Sequence, residues 1–504
     1  MEYGVGRSIP PVPEPYPFMP RQNQRLPILV AGFVAYVGFI LASFPGEMNP
    51  DSRNQLEQAL TGDYNDWHPP VMARLWSLLL HLGGDPVGTM FVLQIACWGL
   101  AFVLLSLTLA RLGHRIAAWA VFLVGLFPPF LMQIGNIHKD VGLAAALMLA
   151  VALVARSRLA GERTPPWAIV LAGLLLAYAG LVRSSGWFAV LPVVMWMVWP
   201  AGLRRPIRSG LVCGLVALVM VLPSNGLNNG LLGARPSGVI RTLQIFDLAG
   251  IARFSRDTSV IMDQMTLEEI DDCYTPVIAD TFYHGRRCGF LWDRIAGSPD
   301  TPTGLATDIP GAVATEPASL TGPWIGAIAR HPLAWAEHRL AHFNSAMQFL
   351  VPGHQAALPA IQALVEGQKA KQPAPKGLRR VMDIVRFGPW STPGLWLAFG
   401  LGVLFVTHDA RRRGDVLATL SLALTLAGCA YLGGFLFVGV ANDPRNGLTG
   451  GATILTAMTL LIPGFPDHVR RFPDRLSFAG FLALATVIAM LAYRASVPDA
   501  LYFL

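Results

Sequence analysis

The chain has 504 residues, of which 53% are hydrophobic and 14% are charged, and its mean hydropathy is +0.48. An ordinary soluble domain carries about 25% charged residues, so this composition excludes that class and predicts an integral membrane protein. The net charge of +7 does not indicate a nucleic-acid partner, because the arginines lie in short clusters between apolar runs, a pattern that encodes membrane topology.

Residues 1–25 come first and are polar and proline-rich, without the charged-then-apolar lead of a cleavable signal peptide. We therefore expect a cytoplasmic N-terminal tail, followed by a first span that acts as an uncleaved signal anchor. The apolar runs that follow predict an all-α polytopic membrane protein with about eleven transmembrane helices. The predicted spans are residues 26–44, 87–110, 117–136, 141–156, 166–183, 186–202, 209–227, 394–408, 416–438, 449–464 and 477–494.

One more apolar run, residues 69–82, is too short to cross, because a span needs about 20 residues. It begins with Pro-Pro and is predicted to lie in the membrane interface as a juxtamembrane helix. All the arginine clusters then fall on one side, which the positive-inside rule identifies as the cytoplasm. The clusters are Arg7, Arg21 and Arg25; Arg111 and Arg115; Arg156, Arg158 and Arg163; Arg204, Arg205 and Arg208; Arg411, Arg412 and Arg413; and Arg470, Arg471 and Arg475.

This topology divides the chain into regions and places its polar loops on the extracytoplasmic face. The cytoplasmic tail, residues 1–25, precedes a transmembrane core, residues 26–227, whose first outer loop is residues 45–86. Residues 228–393 form one large extracytoplasmic loop region, and residues 394–504 supply the C-terminal transmembrane helices. We expect a multi-pass protein of a bacterial-type inner membrane, in contact with membrane lipids, with its C-terminus and active site outside.

The first outer loop collects acidic residues and a histidine beside the membrane, where a charge is costly unless it serves a task. Asp51 could act as a general base or hold a metal ion, or it could simply cap a short helix. Asp63 and Asp66 flank a turn at Gly62, and turn formation explains them as well as substrate binding does. His68 could act in the site or form a local hydrogen bond.

The second outer loop carries His138, Lys139 and Asp140 between two apolar runs. Interfacial snorkelling explains Lys139, and Asp140 could cap the next span. However, Asp51 and Asp140 share one face of the membrane at the ends of spans that a bundle can bring together. Two carboxylates offer oxygen ligands that suit a divalent cation, Mg²⁺ or Mn²⁺, as a candidate cofactor.

Several arginines on the predicted outer face run against the topology bias and call for another explanation. Arginine binds phosphate in a bidentate manner, so these residues are candidates for binding a lipid-linked phosphate. The alternative is that they form ion pairs with loop carboxylates such as Asp247 or Asp443. The candidates are Arg183, Arg235, Arg241 and Arg445.

The large loop region contains Cys273 and Cys288, and an extracytoplasmic position would allow a disulfide between them, although two free thiols fit the sequence equally well. Residues 324–349 of the same region have apolar side chains spaced for one face of a helix. No Walker loop and no dinucleotide-binding glycine motif occurs, which argues against a nucleotide-sugar enzyme or an ATP-driven transporter.

Taken together, these motifs resemble the GT-C superfamily of integral membrane glycosyltransferases, which use polyprenyl-phosphate-linked sugars. The resemblance covers roughly residues 26–350. It depends on Asp51 close after the first span, on His68-Pro69-Pro70 ahead of an apolar helix, on Asp140 in the next outer loop, and on a large outer loop after seven spans.

The resemblance implies that Asp51 is the catalytic base or an acceptor-side residue and that Asp140 helps to bind metal or substrate. Ser52 replaces the glutamate of the usual Asp-Glu pair, which leaves Asp63 and Asp66 as alternative bases. It further implies an inverting transfer of sugar from a polyprenyl-phosphate donor to a cell-envelope glycan, lipid or protein. The rival functions are an O-antigen-type polymerase or ligase, and a non-enzymatic lipid or glycan transporter (a flippase).

Overall fold

The computed structural model describes residues 25–198, 226–282, 286–291, 319–352, 384–386, 388–412, 415–471 and 473–496. This part of the chain is mostly α-helical, with a few short 3-10 and π-helical turns, one sheet of two short strands and two isolated bridges. The predicted tail, apart from Arg25, and most of the predicted span at 209–227 lie outside the described residues.

The helices and strands are numbered in chain order. They are α1 (Arg25–Ser43), β1 (Glu47–Met48), α2 (Pro50–Thr61), α3 (Val71–His81), α4 (Gly88–Arg111), α5 (Arg115–Gly125), α6 (Pro128–Ile134), β2 (Asn136–Ile137), α7 (Lys139–Arg158), α8 (Pro166–Leu181), α9 (Gly186–Val198), α10 (Ile240–Ser255), α11 (Leu267–Cys273), α12 (Thr321–Arg330), α13 (Pro332–Met347), α14 (Pro393–Arg412), α15 (Val416–Val438), α16 (Gly447–Leu460), α17 (Phe465–Arg471) and α18 (Pro473–Ser496).

Six of the described segments are long and apolar enough to cross a membrane, which makes this a multi-pass membrane protein. They correspond to α1, α4, α7, α15, α18 and the 21-residue stretch Pro444–Gly464 that contains α16. The pair α5 and α6 is bent by 43° and would make a seventh. Helices α8 and α9 are shorter than a full span, so the predicted count of eleven remains a prediction. Helix α3 has 11 residues, well below the roughly 20 that a span needs.

Helix α7 lies at the centre of the bundle and packs against α4, α8, α9 and α16. It is buried on nearly all sides, and the run from Val141 to Ala152 is apolar all round, as expected of a helix without a solvent-facing side. Its many alanines let neighbouring helices approach closely, a common property of membrane helix interfaces. The central position of α7 fixes its N-terminal residues, Lys139 and Asp140, at one end of the bundle.

The sheet ties the first outer loop to the start of α7. Strands β1 and β2 run parallel, with Glu47 opposite Asn136 and Met48 opposite Ile137. Ser52 adds to this connection, because its hydroxyl donates a hydrogen bond to the carbonyl oxygen of Ile137. Since β1 directly precedes α2 and β2 directly precedes α7, the sheet brings the first turns of these two helices together.

The described part of the loop region has its own apolar core, formed by α10, α11, α12 and α13. The structure joins Cys273 and Cys288 in a disulfide beside this core. The prediction of one apolar helical face over residues 324–349 is wrong in part. The chain forms two helices that break at His331, ahead of Pro332, because proline lacks the N–H that a continuous helix needs.

Candidate active site

Five separate segments bring polar side chains together at the end of the bundle where the sheet lies. The side chains come from the first turn of α2, the turn before α3, the N-terminus of α7, the residues after α8 and the short turn before α16. They are Asp51, His68, His138, Lys139, Asp140, Arg183, Asp443, Arg445 and Asn446, here called the polar cluster.

Asp51 is the most accessible carboxylate of the polar cluster that faces several cations. Its oxygens lie 3.7 Å from His68 Nε2, 3.8 Å from Lys139 Nζ and 3.4 Å from Arg445 Nη1, and its side chain is 29% exposed. The helix-capping alternative is wrong, because Asn49 is the N-cap and accepts a hydrogen bond from the Ser52 amide. Asp51 is therefore free of a capping role and directed toward the cations.

The surroundings of Asp51 keep it ionised. Burial alone would raise its pKa, but nearby positive charge, first that of Lys139 and then that of Arg445, outweighs burial and lowers the pKa to about 2. At neutral pH this carboxylate carries its full charge and is a weak base. Such a group can stabilise positive charge on a reacting carbon and can accept a proton late in a reaction.

His68 links Asp51 to Lys139. The ammonium group of Lys139 donates a hydrogen bond to His68 Nδ1 at 2.9 Å, so the proton of the neutral ring lies on Nε2, which faces Asp51. Burial, followed by the charge of Lys139, lowers the pKa of His68 to about 3. His68 is therefore a neutral imidazole at physiological pH that orients the carboxylate beside it.

Arg445 contacts three other residues of the polar cluster. Its Nη1 donates to His138 Nδ1 at 3.0 Å and reaches Asp51, while Nε and Nη2 are paired with Asp443. The backbone N–H of Arg445 also donates to Asp443 Oδ1 at 2.9 Å, which fixes the turn before α16. Burial and the charge of Arg445 lower the pKa of His138 to about 4, so this ring is neutral and accepts from the guanidinium.

A second ion pair lies deeper. Arg183 pairs with the buried carboxylate of Asp140 and donates through Nη2 to Asn446 Oδ1 at 2.9 Å. Asp140 does not cap α7 as the alternative interpretation proposed, because the N-cap position is His138 and makes no side-chain cap. Through these two contacts Arg183, which follows α8, joins the start of α7 to the start of α16.

Sequence reasoning missed Gln94, which holds this end of the site from α4. Its amide Nε2 donates to the His138 carbonyl oxygen at 2.9 Å, and its Oε1 accepts from the His138 N–H at 3.4 Å. The signal that could have revealed it was a buried amide in an otherwise apolar span. Asp443 was considered only as an ion-pair partner, and its hydrogen bonds show that it also orients Arg445.

The other predicted site residues form a separate group. Arg235 pairs with Asp63 on the exposed surface, and Asp66 accepts two hydrogen bonds of 2.5 Å from Ser237. These contacts hold the first outer loop to the start of the loop region. Arg241 lies in the first turn of α10, and its backbone N–H donates to the Gly238 carbonyl oxygen at 2.9 Å. None of the four has a described hydrogen bond or ion pair with the polar cluster.

The arrangement is a poor fit for the predicted Mg²⁺ or Mn²⁺ site at Asp51 and Asp140. Asp51 faces Lys139 and Arg445, and Arg183 is bound to Oδ1 of Asp140, so cations already neutralise both carboxylates. Among the described residues, no three His, Cys, Asp or Glu side chains are grouped so that they could hold a metal ion. The metal roles stay a prediction, and no step below depends on them.

The site thus places an ionised, accessible carboxylate among cations at one end of a multi-pass helical bundle. Residues 67–225 match the family model described as dolichyl-phosphate-mannose-protein mannosyltransferase. The match includes His68, Lys139, Asp140 and Arg183, and it confirms the predicted GT-C resemblance.

Among solved structures, the chain is similar to the archaeal oligosaccharyltransferase AglB from Archaeoglobus fulgidus, in complex with an inhibitory peptide and a dolichol-phosphate. The identity is 14% and the TM-score 0.37, values too low to define a shared function. The likeness covers 94% of this chain and 55% of that one, so this chain spans little more than half of its length. No curated protein matches the chain.

Proposed function

We propose that this protein transfers a sugar from a polyprenyl-phosphate donor to a cell-envelope glycan, lipid or protein on the extracytoplasmic face of the membrane. The observation that carries the proposal is the environment of Asp51, an accessible ionised carboxylate faced by Lys139 and Arg445. A glycosyl transfer needs both parts: negative charge beside the anomeric carbon and positive charge beside the departing phosphate.

The chemistry is one displacement. The acceptor oxygen forms a bond to the anomeric carbon as the bond from that carbon to the phosphate oxygen breaks, which inverts the configuration. The acceptor proton passes to Asp51. A weak base is adequate here, because the hydroxyl becomes strongly acidic as its oxygen bonds to a carbon with oxocarbenium character.

The cations divide into two sets in this proposal. Lys139 and Arg445 face the accessible Asp51 and receive the phosphate of the leaving lipid. Arg183 is held by Asp140 and Asn446, so it acts by fixing the position of α16 relative to α7. This division revises the expectation that Arg183 itself binds the phosphate of the lipid donor.

The extracytoplasmic location is supported by two independent features. The arginine clusters all fall on the opposite side if eleven spans are present. In addition, the loop region contains the Cys273–Cys288 disulfide, and such bonds persist in oxidising compartments.

The test is transfer by the purified protein in nanodiscs. Labelled sugar on a synthetic polyprenyl phosphate is offered in parallel with the same sugar on a nucleotide, with a mixture of envelope glycans, lipids and peptides as acceptors. We expect product from the lipid donor alone, with the anomeric configuration inverted by NMR. Product from the nucleotide donor, or movement of the lipid across the bilayer without transfer, would overturn the proposal, and the second outcome would support the flippase alternative.

A further inference from the structure

Helix α13 buries its charged face. His338, Arg339 and His342 are buried, whereas Leu333 and Leu340 are 80% and 59% exposed. Most helices place these residue types the other way round. Because burying ionisable groups costs free energy unless they are paired, this inward face calls for an explanation.

Asp247 of α10 supplies the pairing. Its Oδ1 lies 3.1 Å from His338 Nε2 and pairs with Arg339, while Oδ2 accepts from Trp324 Nε1 at 2.8 Å. Tyr274 completes the group by donating its hydroxyl to His338 Nδ1 at 2.8 Å. These five residues, of which Asp247, His338 and Arg339 are buried and Trp324 and Tyr274 half-buried, are here called the loop network, which lies apart from the polar cluster.

The loop network contacts the chain just ahead of Arg445. Arg339 Nη1 donates to the Gly439 carbonyl oxygen at 2.7 Å in a fully buried hydrogen bond. The next residues pair with the loop region as a short bridge, in which the Ala279 N–H donates to the Val440 carbonyl oxygen at 2.8 Å. Residues 439–442 are thus held by the loop region immediately before the turn that carries Asp443 and Arg445.

The packing around these contacts leaves little room for movement. A Cβ atom on Gly439 would lie 2.8 Å from His342 Nε2, and one on Gly250 would lie 2.1 Å from His338 Nδ1. Both glycines are therefore required for the close approach of backbone and ring. The contact between α13 and the segment 439–442 is specific in shape as well as in charge.

We propose that Arg339, paired with Asp247, is a positioning residue for Arg445. It acts through the Gly439 carbonyl oxygen and the short turn that follows, and it touches no reacting group. The proposal rests on the proposed function in so far as Arg445 receives the donor phosphate. It adds that the loop region sets the geometry of the donor site and does more than offer a surface to the acceptor.

The experiment removes the link without leaving an unpaired buried charge. The double variant Asp247→Asn/Arg339→Met neutralises both partners, which avoids the cost of stranding one of them. The matched control, Asp271→Asn/Arg256→Met, removes an ion pair of 2.8 Å from the exposed surface of the same region. Intact Cys273–Cys288 pairing by mass spectrometry shows that each variant has folded.

Three readouts test the link. Hydrogen exchange should become faster in peptides covering residues 439–446 of the Asp247→Asn/Arg339→Met variant and stay unchanged in the control. The KM for the polyprenyl-phosphate donor should rise roughly 2- to 30-fold with little change in kcat. When this variant is combined with Arg445→Lys, the donor KM should rise by less than the product of the two separate fold-changes, because both changes act on one contact.

The outcomes separate the two proposals. Unchanged exchange at 439–446 in a folded variant, or full multiplicativity with Arg445→Lys, overturns the positioning role of Arg339. A fall in kcat and a rise in KM that occur equally in the control overturn it as well. Faster exchange confined to 439–446, in a protein that transfers no sugar from any lipid donor, keeps the positioning role and rejects the proposed function.

Discussion

Replacing Asp51 by asparagine is the most direct test of the polar cluster. The side chain keeps its size, while the charge and the basicity are lost. Helix α2 keeps its cap, because Asn49 and not Asp51 accepts the hydrogen bond from the Ser52 amide. We expect sugar transfer to fall roughly 10²- to 10⁴-fold, the contribution of a positioned base.

The loss of unfolding free energy that Asp51→Asn should cause follows from the pKa of Asp51. A pKa of about 2, against the usual 3.8, corresponds to at most about 2 kcal/mol, and solvent reaches the carboxylate and reduces this further. Because the folded-state pKa is the lower one, this stability is present above about pH 4 and is lost as the pH falls toward 2. A 10³-fold slower transfer corresponds to about 4 kcal/mol in the activation free energy. The substitution should therefore reduce activity by more than it reduces the free energy of unfolding.

The assay compares transfer and thermal unfolding of Asp51→Asn and Glu57→Gln in nanodiscs. Glu57 is exposed on the same helix, so its variant removes the same charge from α2 without touching the polar cluster. We expect the control to transfer sugar at the unmodified rate. A folded Asp51→Asn protein with full transfer would falsify the assignment and direct attention to Asp63 and Asp66.

Four further predictions concern the donor, metal, disulfide and topology. Arg445→Lys should raise the donor KM more than it lowers kcat, since lysine cannot reproduce the bidentate contacts; an unchanged KM contradicts this role. A chelator should leave transfer unchanged, and loss of activity that Mg²⁺ or Mn²⁺ restores would reinstate the metal site. Mass spectrometry of unreduced protein should find Cys273 and Cys288 bridged. Replacing both by serine should lower the free energy of unfolding by about 3 kcal/mol for a loop of this length. A reporter fused after Arg115 should be cytoplasmic and one within 301–317 outside, and the reverse result rejects the predicted orientation.

The sequence predicted where the chemistry collects, because charge beside a membrane is rare and therefore informative. Asp51, His68, Lys139 and Arg445 were all singled out, and the structure brings them together. The sequence could not predict which contacts bring these residues together. A pairing of two-residue strands has no detectable periodicity, so nothing indicated that residues 47–48 would lie against residues 136–137.

The partners within the polar cluster depended on packing that no local pattern encodes. Arg183 and Asp140 were both candidates, yet their pairing depends on how α8 approaches α7. The charged inward face of α13 was not predicted, because apolar periodicity alone directs the opposite face of this helix toward the core. The number of spans stays open because helices such as α8 and α9 are shorter than the bilayer is thick.

The balance of charge in the polar cluster has a consequence for the order of events. Lys139 and Arg445 are already paired with a carboxylate, so in the proposed reaction an incoming phosphodiester would compete with Asp51 for them. Each contact that transfers to the phosphate removes an interaction that keeps the pKa of Asp51 low. In the proposed reaction the carboxylate would therefore become a better proton acceptor only when the donor is in place, and donor binding itself would activate the base. On the same proposal, Asp51 would not activate water or another hydroxyl in the absence of the donor.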